Sequence, residues 1–210
     1  MSDLQAILEA VYAITDRPDL VGLTTLAVQK ATIKEHTQYD FTRDLVLSSS
    51  ITLTDTSPAS NRYTVQITGN TALVRVRKVL YILENVGSVQ VLTSFEGTNG
   101  QIVFKEVSNS DIFDPYGMER QNYFARLGDT INIVANRAVA AVRVKYYQLP
   151  DTATVTYQSW IADNYPYVIA DHAALEVFRA IGKKDEEKIY LAKLGDNRTD
   201  ILRGEVTEVD

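Results

Sequence analysis

Hydrophobic positions along the chain follow three regimes. Leu4, Ile7, Leu8, Val11 and Ile14 recur at the spacing of one helical face, with Ser2 or Asp3 available as N-cap. Asp16-Arg17-Pro18-Asp19 ends that helix, because proline cannot continue it. A second helix is predicted from Thr24 or Thr25 toward Tyr39 and Phe41, with a weaker stripe of Leu26, Ala27, Ala31, Ile33 and Thr37. From residue 45 to about 149 the period drops to two. Ile51 and Leu53 open the series, followed by Tyr63, Val65 and Ile67. Val74, Val76, Leu80 and Ile82 share one face, with Lys78 as the exception. Val89 and Val91, Ile102 and Phe104, Ile131 and Ile133, and Val142, Val144 and Tyr146 complete it. Ser57-Pro58, Gly69-Asn70, Asn85 to Gly87 and Gly97-Thr98-Asn99-Gly100 read as turns between these runs.

From about residue 155 the helical period returns. Thr156 is expected to cap a short turn through Trp160 and Ile161, and Pro166 to open the next helix near its first position. Ile169, Ala173, Val177 and Ala180 form a face that Leu175, Phe178 and Ile181 widen, so this helix is expected to be packed on more than one side. Gly182 ends it. Asp185 is expected to cap a last helix carrying Ile189, Tyr190, Ala192 and Leu194, closed by Gly195.

The predicted fold class is α+β: a helical bundle drawn from both chain ends, residues 1–44 and 150–196, with an inserted antiparallel β-sandwich or barrel-like domain at 45–149. Residues 197–210 show no helical stripe and read as a C-terminal arm, either a frayed end or a segment that becomes ordered on a partner.

Composition narrows the function. Of 210 residues, 45% are hydrophobic and 23% charged, so the chain can build a core. There is no cysteine, which excludes disulfides, thiolate-held metals and thiol nucleophiles. The first residues lack a basic n-region and no apolar run approaches about 18 residues, so neither a secretory leader nor a membrane span is expected. A net charge of −6 argues against a protein that clamps the DNA backbone.

Candidate chemistry is sparse. Gly97-x-x-Gly100 lacks the Lys-Ser/Thr and the helix that a phosphate loop needs, and reads as a hairpin turn. His36 and His172 belong to no ligand spacing; His36 reads as solvated and His172 as packed in an apolar helix. No serine stands in a nucleophile elbow. No catalytic residue, cofactor or metal is therefore expected. Arg75, Arg77 and Lys78 read as a solvated strand face. Tyrosine is the unusual residue, with 12 copies. Tyr146, Tyr147, Tyr157, Trp160, Tyr165 and Tyr167 gather where the β region hands over to the last helices. They suit either packing at a junction or a subunit interface.

From Leu127 to Leu194 the chain resembles the adaptor family of tailed-bacteriophage head-to-tail connectors. The resemblance rests on Gly128-Asp129-Thr130-Ile131-Asn132-Ile133, then Val142 through Pro150 with its tyrosine pair, then Trp160, Asn164-Tyr165-Pro166, an alanine-rich helix, and a charged turn leading to Tyr190. The front end agrees, from Leu4 to Ile14 and through Asp16-Arg17-Pro18-Asp19 to Tyr39-Asp40-Phe41-Thr42-Arg43-Asp44. Residues 55–125 match nothing in that family, and Ala135-Asn136-Arg137 stands where a proline-rich step is usual.

The resemblance implies a structural virion protein without enzyme activity, forming a dodecameric ring beneath the portal protein and above a tail or nozzle protein. Double-stranded DNA would pass through it without sequence-specific binding, and no membrane would be involved. By position, portal binding would fall on Arg198, Ile201, Leu202, Arg203, Val206 and Val209 of the arm. Twelve acidic copies would repel the DNA backbone, which suits a conduit.

Overall fold

The computed structural model describes residues 4–57, 61–85, 101–108 and 122–207. The chain is mixed α+β and divides into two units, Met1–Asp44 with Leu149–Asp210, and Leu45–Gln148. The expected strand at Val89 and Val91 and the Gly97–Gly100 turn lie outside the described residues.

Five α-helices of the first unit are described: α1 (Leu4–Thr15), α2 (Val21–Gln38), α3 (Trp160–Asn164), α4 (Pro166–Ile181) and α5 (Lys184–Thr207). α1 buries Leu4, Ile7, Leu8 and Val11, and the chain leaves it through Asp16 at φ 54°. α2 starts at Val21, a turn before the predicted threonines. Its buried face is Thr24, Ala27, Val28, Ala31, Thr32, Glu35 and His36. Leu26 and Ile33 of the predicted stripe are exposed instead, because this face carries polar side chains with partners inside the unit. Thr32 Oγ1, for example, meets the Val28 carbonyl at 2.8 Å and the Tyr157 hydroxyl at 2.7 Å.

Ser159, not Thr156, caps α3: its Oγ accepts the Ala162 N–H at 3.1 Å. Thr156 instead bonds to Asp151 at 3.0 Å. α4 packs against α1, α2, α3 and α5, as its broad apolar face predicts. It ends at Gly182 with φ 76°, where the Lys183 N–H reaches the Phe178 carbonyl at 2.9 Å; only glycine enters this left-handed turn without strain. Apolar side chains from residues 4–41 and 157–201 form one cluster.

α5 departs most from expectation. It runs through Gly195 for 24 residues, and the segment 197–207 continues the helix where a separate arm was expected. Tyr190, Leu194, Asn197 and Ile201 turn to the core at intervals of three to four residues. Gly195 faces outward on the opposite side, where a missing side chain costs the packing nothing.

The second unit is a mixed sheet curled into a half-barrel. Its strands are β1 (Leu45–Leu47), β2 (Ile51–Thr52), β3 (Asp55–Ser57), β4 (Arg62–Gln66), β5 (Val76–Glu84), β6 (Val103–Glu106), β7 (Tyr123–Leu127), β8 (Thr130–Val134) and β9 (Ala141–Gln148). Their order is β1-β9-β5-β6-β7-β8-β4-β3, with β2 also on β9. Tyr63, Val65, Phe124, Ile131 and Ile133 from one end of this order share a core with Val79, Ile82, Phe104, Val142, Val144 and Tyr146 from the other. A sheet curled over its own apolar face needs no helix to cover it.

Two expectations for this unit are corrected. β6 and β7 pair in parallel, Lys105 opposite Tyr123, so the sheet is not purely antiparallel. β5 buries Val79, Ile82 and Leu83 and leaves Leu80 exposed, because irregularities at Val76/Lys78 and Val79/Tyr81 shift its phase; Val74, exposed as well, precedes the strand. Elsewhere the alternation holds, as in β4, where Tyr63 and Val65 are buried between exposed Thr64 and Gln66. Gly128, at φ 58°, is the first residue of the two-residue turn joining β7 to β8, as in a type II′ hairpin. The adjacent Asp129 carboxylate accepts the Thr68 hydroxyl at 2.7 Å.

Candidate functional site

Within the helical unit, side chains from α2, α4 and α5 meet in a buried polar clasp. Asp171 and His172 are neighbours on α4. The Asp171 carboxylate accepts Lys193 Nζ at 2.9 Å and Asn197 Nδ2 at 2.7 Å, both from α5. His172 Nδ1 donates to Glu35 of α2 in a short hydrogen bond. Arg198 of α5 closes the circuit, giving two hydrogen bonds to Glu35 at 2.7 and 3.0 Å. Glu35, Asp171 and His172 are all buried.

Burial pushes the Glu35 carboxyl up, but the hydrogen bonds and charges of His172 and Arg198 outweigh it and hold its pKa below the ordinary carboxylate value. The same bond to Glu35 raises Arg198. Among the described residues, His172 Nε2 has no hydrogen-bond partner, and Glu176 Oε1 lies 3.8 Å from it.

Part of the predicted portal-binding set lies in or beside this clasp. Arg198 and Ile201 are internal parts of the helical unit: Arg198 is spent on Glu35, and Ile201 is almost wholly buried in the core. Leu202 and Arg203 lie on the exposed side of α5. Val206 is placed in α5 by its backbone, and Val209 lies outside the described residues. Glu35, Asp171, Lys193 and Asn197 went unread in the sequence. The signals were there: Glu35 follows Val28 and Ala31 on the buried face, and Asp171-His172 interrupts an otherwise apolar helix.

A second polar cluster corrects the reading of His36 as solvated. His36 is 2% exposed. Its Nδ1 lies 2.9 and 3.0 Å from the Asp44 carboxylate oxygens, and its Nε2 lies 2.9 Å from Ser159 Oγ. Trp160 Nε1 donates to Asp44 at 2.8 Å, its ring stacks edge-on against His36 and Phe41, and the Arg43 guanidinium lies over it at 5.2 Å.

The order Ser–His–Asp repeats the contacts of a hydrolytic triad. Its surroundings differ. Ser159 is 4% exposed, and its oxygen already accepts the Ala162 N–H as a helix cap. A nucleophile needs room for a carbonyl beside it, and this oxygen is enclosed. The arrangement fixes the start of α3 against α2.

The predicted aromatic group divides between the units. Tyr146 is buried in the sheet core and its hydroxyl accepts the Val74 N–H at 3.3 Å; Tyr147 lies beneath Arg77 and Lys78, at 5.1 and 5.8 Å. Arg77 and Lys78 thus cover a ring, beyond simply facing solvent. Tyr157, Trp160, Tyr165 and Tyr167 belong to the helical unit. Burial, with the Asp163 charge adding to it against the Thr32 hydrogen bond, pushes the Tyr157 hydroxyl up to about 12. Tyr167 remains exposed near Asp200, and its pKa is raised by partial burial and that carboxylate.

Several large apolar side chains stay uncovered in the helical unit. Val21 and Leu26 on α2 are 57% and 55% exposed, Ile189 and Leu191 on α5 are 64% and 52%, and Val155 in the loop before α3 is 95%. Among the described residues, no cluster of three or more His, Asp or Glu side chains is arranged to hold a metal ion. No described helix is long and apolar enough to cross a membrane. The chain matches no protein-family model and no curated protein sequence.

Proposed function

We propose that the chain is a structural virion protein, a head-to-tail adaptor that docks on a phage portal as a homo-oligomeric, dodecameric ring and continues the DNA channel toward the tail. The helical unit is read as the adaptor body, a bundle that uses both chain ends, and the β unit as its insertion. The carrying observation is how side chains are employed in the helical unit. Its buried ionisable groups are committed to joining helices, while Val21 and Leu26 of α2, Ile189 and Leu191 of α5 and Val155 before α3 stay uncovered. Such uncovered apolar groups suit protein partners better than a small substrate.

The motifs shared with the adaptor family supply the portal, the tail protein, the passing duplex and the virion as its setting. The portal contact is assigned to the exposed side of the α5 C-terminal half, at Leu202 and Arg203, with Val206 and Val209 further along. The reading includes no catalysis and no cofactor. Electron microscopy of the chain mixed with a cognate portal oligomer tests it: rings coaxial with the portal are expected, and isolated portals at saturating chain would refute it.

A further inference from the structure

The loop between β9 and α3 is held in shape from within. Asp151 accepts the Ala153 N–H at 3.1 Å and the Thr156 hydroxyl at 3.0 Å, and its backbone pairs with Gln158 in both directions, at 3.2 and 2.8 Å. Gln29 of α2 grips it from below, donating to the Thr152 carbonyl at 2.9 Å. This scaffold presents Val155 at 95% exposure. An apolar side chain displayed on an ordered turn loses little freedom when it docks, which is what an interface anchor requires.

The same unit carries a groove of about 310 Å³, lined by Leu23, Leu26, Ala27 and Lys30 of α2 and by Glu176, Arg179 and Ala180 of α4. Its α2 residues fall at i, i+3, i+4 and i+7, one stripe of the helix. The residues of α2 that hold the Val155 loop and its continuation, Gln29, Thr32 and His36, form another stripe. At 3.6 residues per turn the two stripes are roughly 140° apart. Knob and groove therefore open on opposite flanks of one helix, so a single copy cannot join them to each other.

Charge matches as well. Lys30, at the groove, and Asp163, whose charge reaches Tyr157 on the loop side, are both exposed, and neither has an ion-pair partner among the described residues. We propose that the Val155 loop of one copy seats in the α2–α4 groove of the next, with Asp163 facing Lys30. Two different surfaces joined in this way propagate head to tail, and a head-to-tail contact closes into a ring when its rotation permits. The inference rests on the ring reading for its choice of partner, a second copy, and adds the contact surfaces.

The absence of cysteine permits a direct test. Leu26→Cys and Val155→Cys change exposed side chains only. Under mild oxidation of the concentrated double variant, non-reducing electrophoresis is expected to show a ladder of trimers and larger species, while each single variant stops at dimers. Adding Lys30→Asp should shrink the ladder several-fold, and adding Lys30→Asp with Asp163→Lys should restore it. A double variant that goes no further than its single parents overturns the contact. If rings still form on the portal in that case, the ring reading stands and its interface lies elsewhere; if the ladder forms but no ring appears on the portal, the adaptor reading fails and the self-contact stands.

Discussion

Replacing Glu35 or Arg198 tests whether the last turns of α5 belong to the fold or hang from it. Glu35 is the buried acceptor for two helices, through His172 of α4 and Arg198 of α5. Glu35→Ala leaves His172 Nδ1 without an acceptor inside the core and Arg198 without its counter-charge. Removing one partner of a buried ion pair costs about 3–5 kcal/mol. Arg198→Ala is milder, because His172 still satisfies Glu35 and the arginine side chain is already 21% exposed. A hydrogen-bonded charge of that kind is worth about 2 kcal/mol. The double variant should then cost less than the two single losses together, with a coupling of about 2 kcal/mol.

Trp160 is the single tryptophan and sits in the helical unit, so its emission in a urea titration follows that unit even if the β unit melts separately. The acid side gives a second reading of the same contact. Because the folded pKa of Glu35 is depressed, its stabilisation is present above the unfolded carboxylate value near pH 4.5 and is lost as pH falls through the lower folded value. Glu35→Gln should therefore flatten the acid limb of the midpoint curve. Single losses below about 0.5 kcal/mol at neutral pH, with an unchanged acid limb, would mean that the end of α5 is a free arm.

Two other perturbations follow from the same unit. Tyr157, raised from 10.0 to about 12, stabilises the fold fully below about pH 10, and that contribution, about 2–3 kcal/mol, disappears as pH rises through 12; Tyr157→Phe should remove this loss from the alkaline limb, and an unaltered limb would contradict the assigned burial. Ser159→Ala deletes the cap of α3 and the hydroxyl beside His36, at an expected cost of about 1–2 kcal/mol in urea, while a fluorophosphonate probe should leave the native chain unlabelled; labelling at Ser159 would show that its hydroxyl is a reactive nucleophile and not only a cap.

Periodicity carried the architecture where burial and polarity agree. α1, α4 and strands such as β4 and β8 were legible, since their apolar positions are buried at the spacing the sequence shows, although α4 also buries Asp171 and His172. β5 was misread because irregular pairing displaces its phase by a residue, and nothing local in Val76–Glu84 announces that shift. Its buried residues are set by which face β9 and β6 leave available. The parallel pairing of β6 with β7 is likewise a property of the whole sheet. Turn chemistry was more portable: Gly69 and Gly182 take positive φ where the sequence places a turn and a helix end.

Gly195, Asn197, Arg198 and His36 share another reason for being misread. Each was judged by its own polarity or flexibility, and a polar residue without a visible partner reads as solvent-facing. Yet His36 meets Ser159 across 123 residues of sequence, and Arg198 meets Glu35 across 163. The stripe Tyr190, Leu194, Asn197, Ile201 is a regular helical face once Asn197 is granted a buried acceptor, and Asp171 is that acceptor. The polar members also restrict the packing in a way the apolar ones do not. Leu194 and Ile201 would tolerate a small slide of α5 along α4, whereas Asp171 meets both Lys193 and Asn197 only in one register. Polar groups that look out of place in a single chain therefore set which of several apolar pairings the two ends adopt.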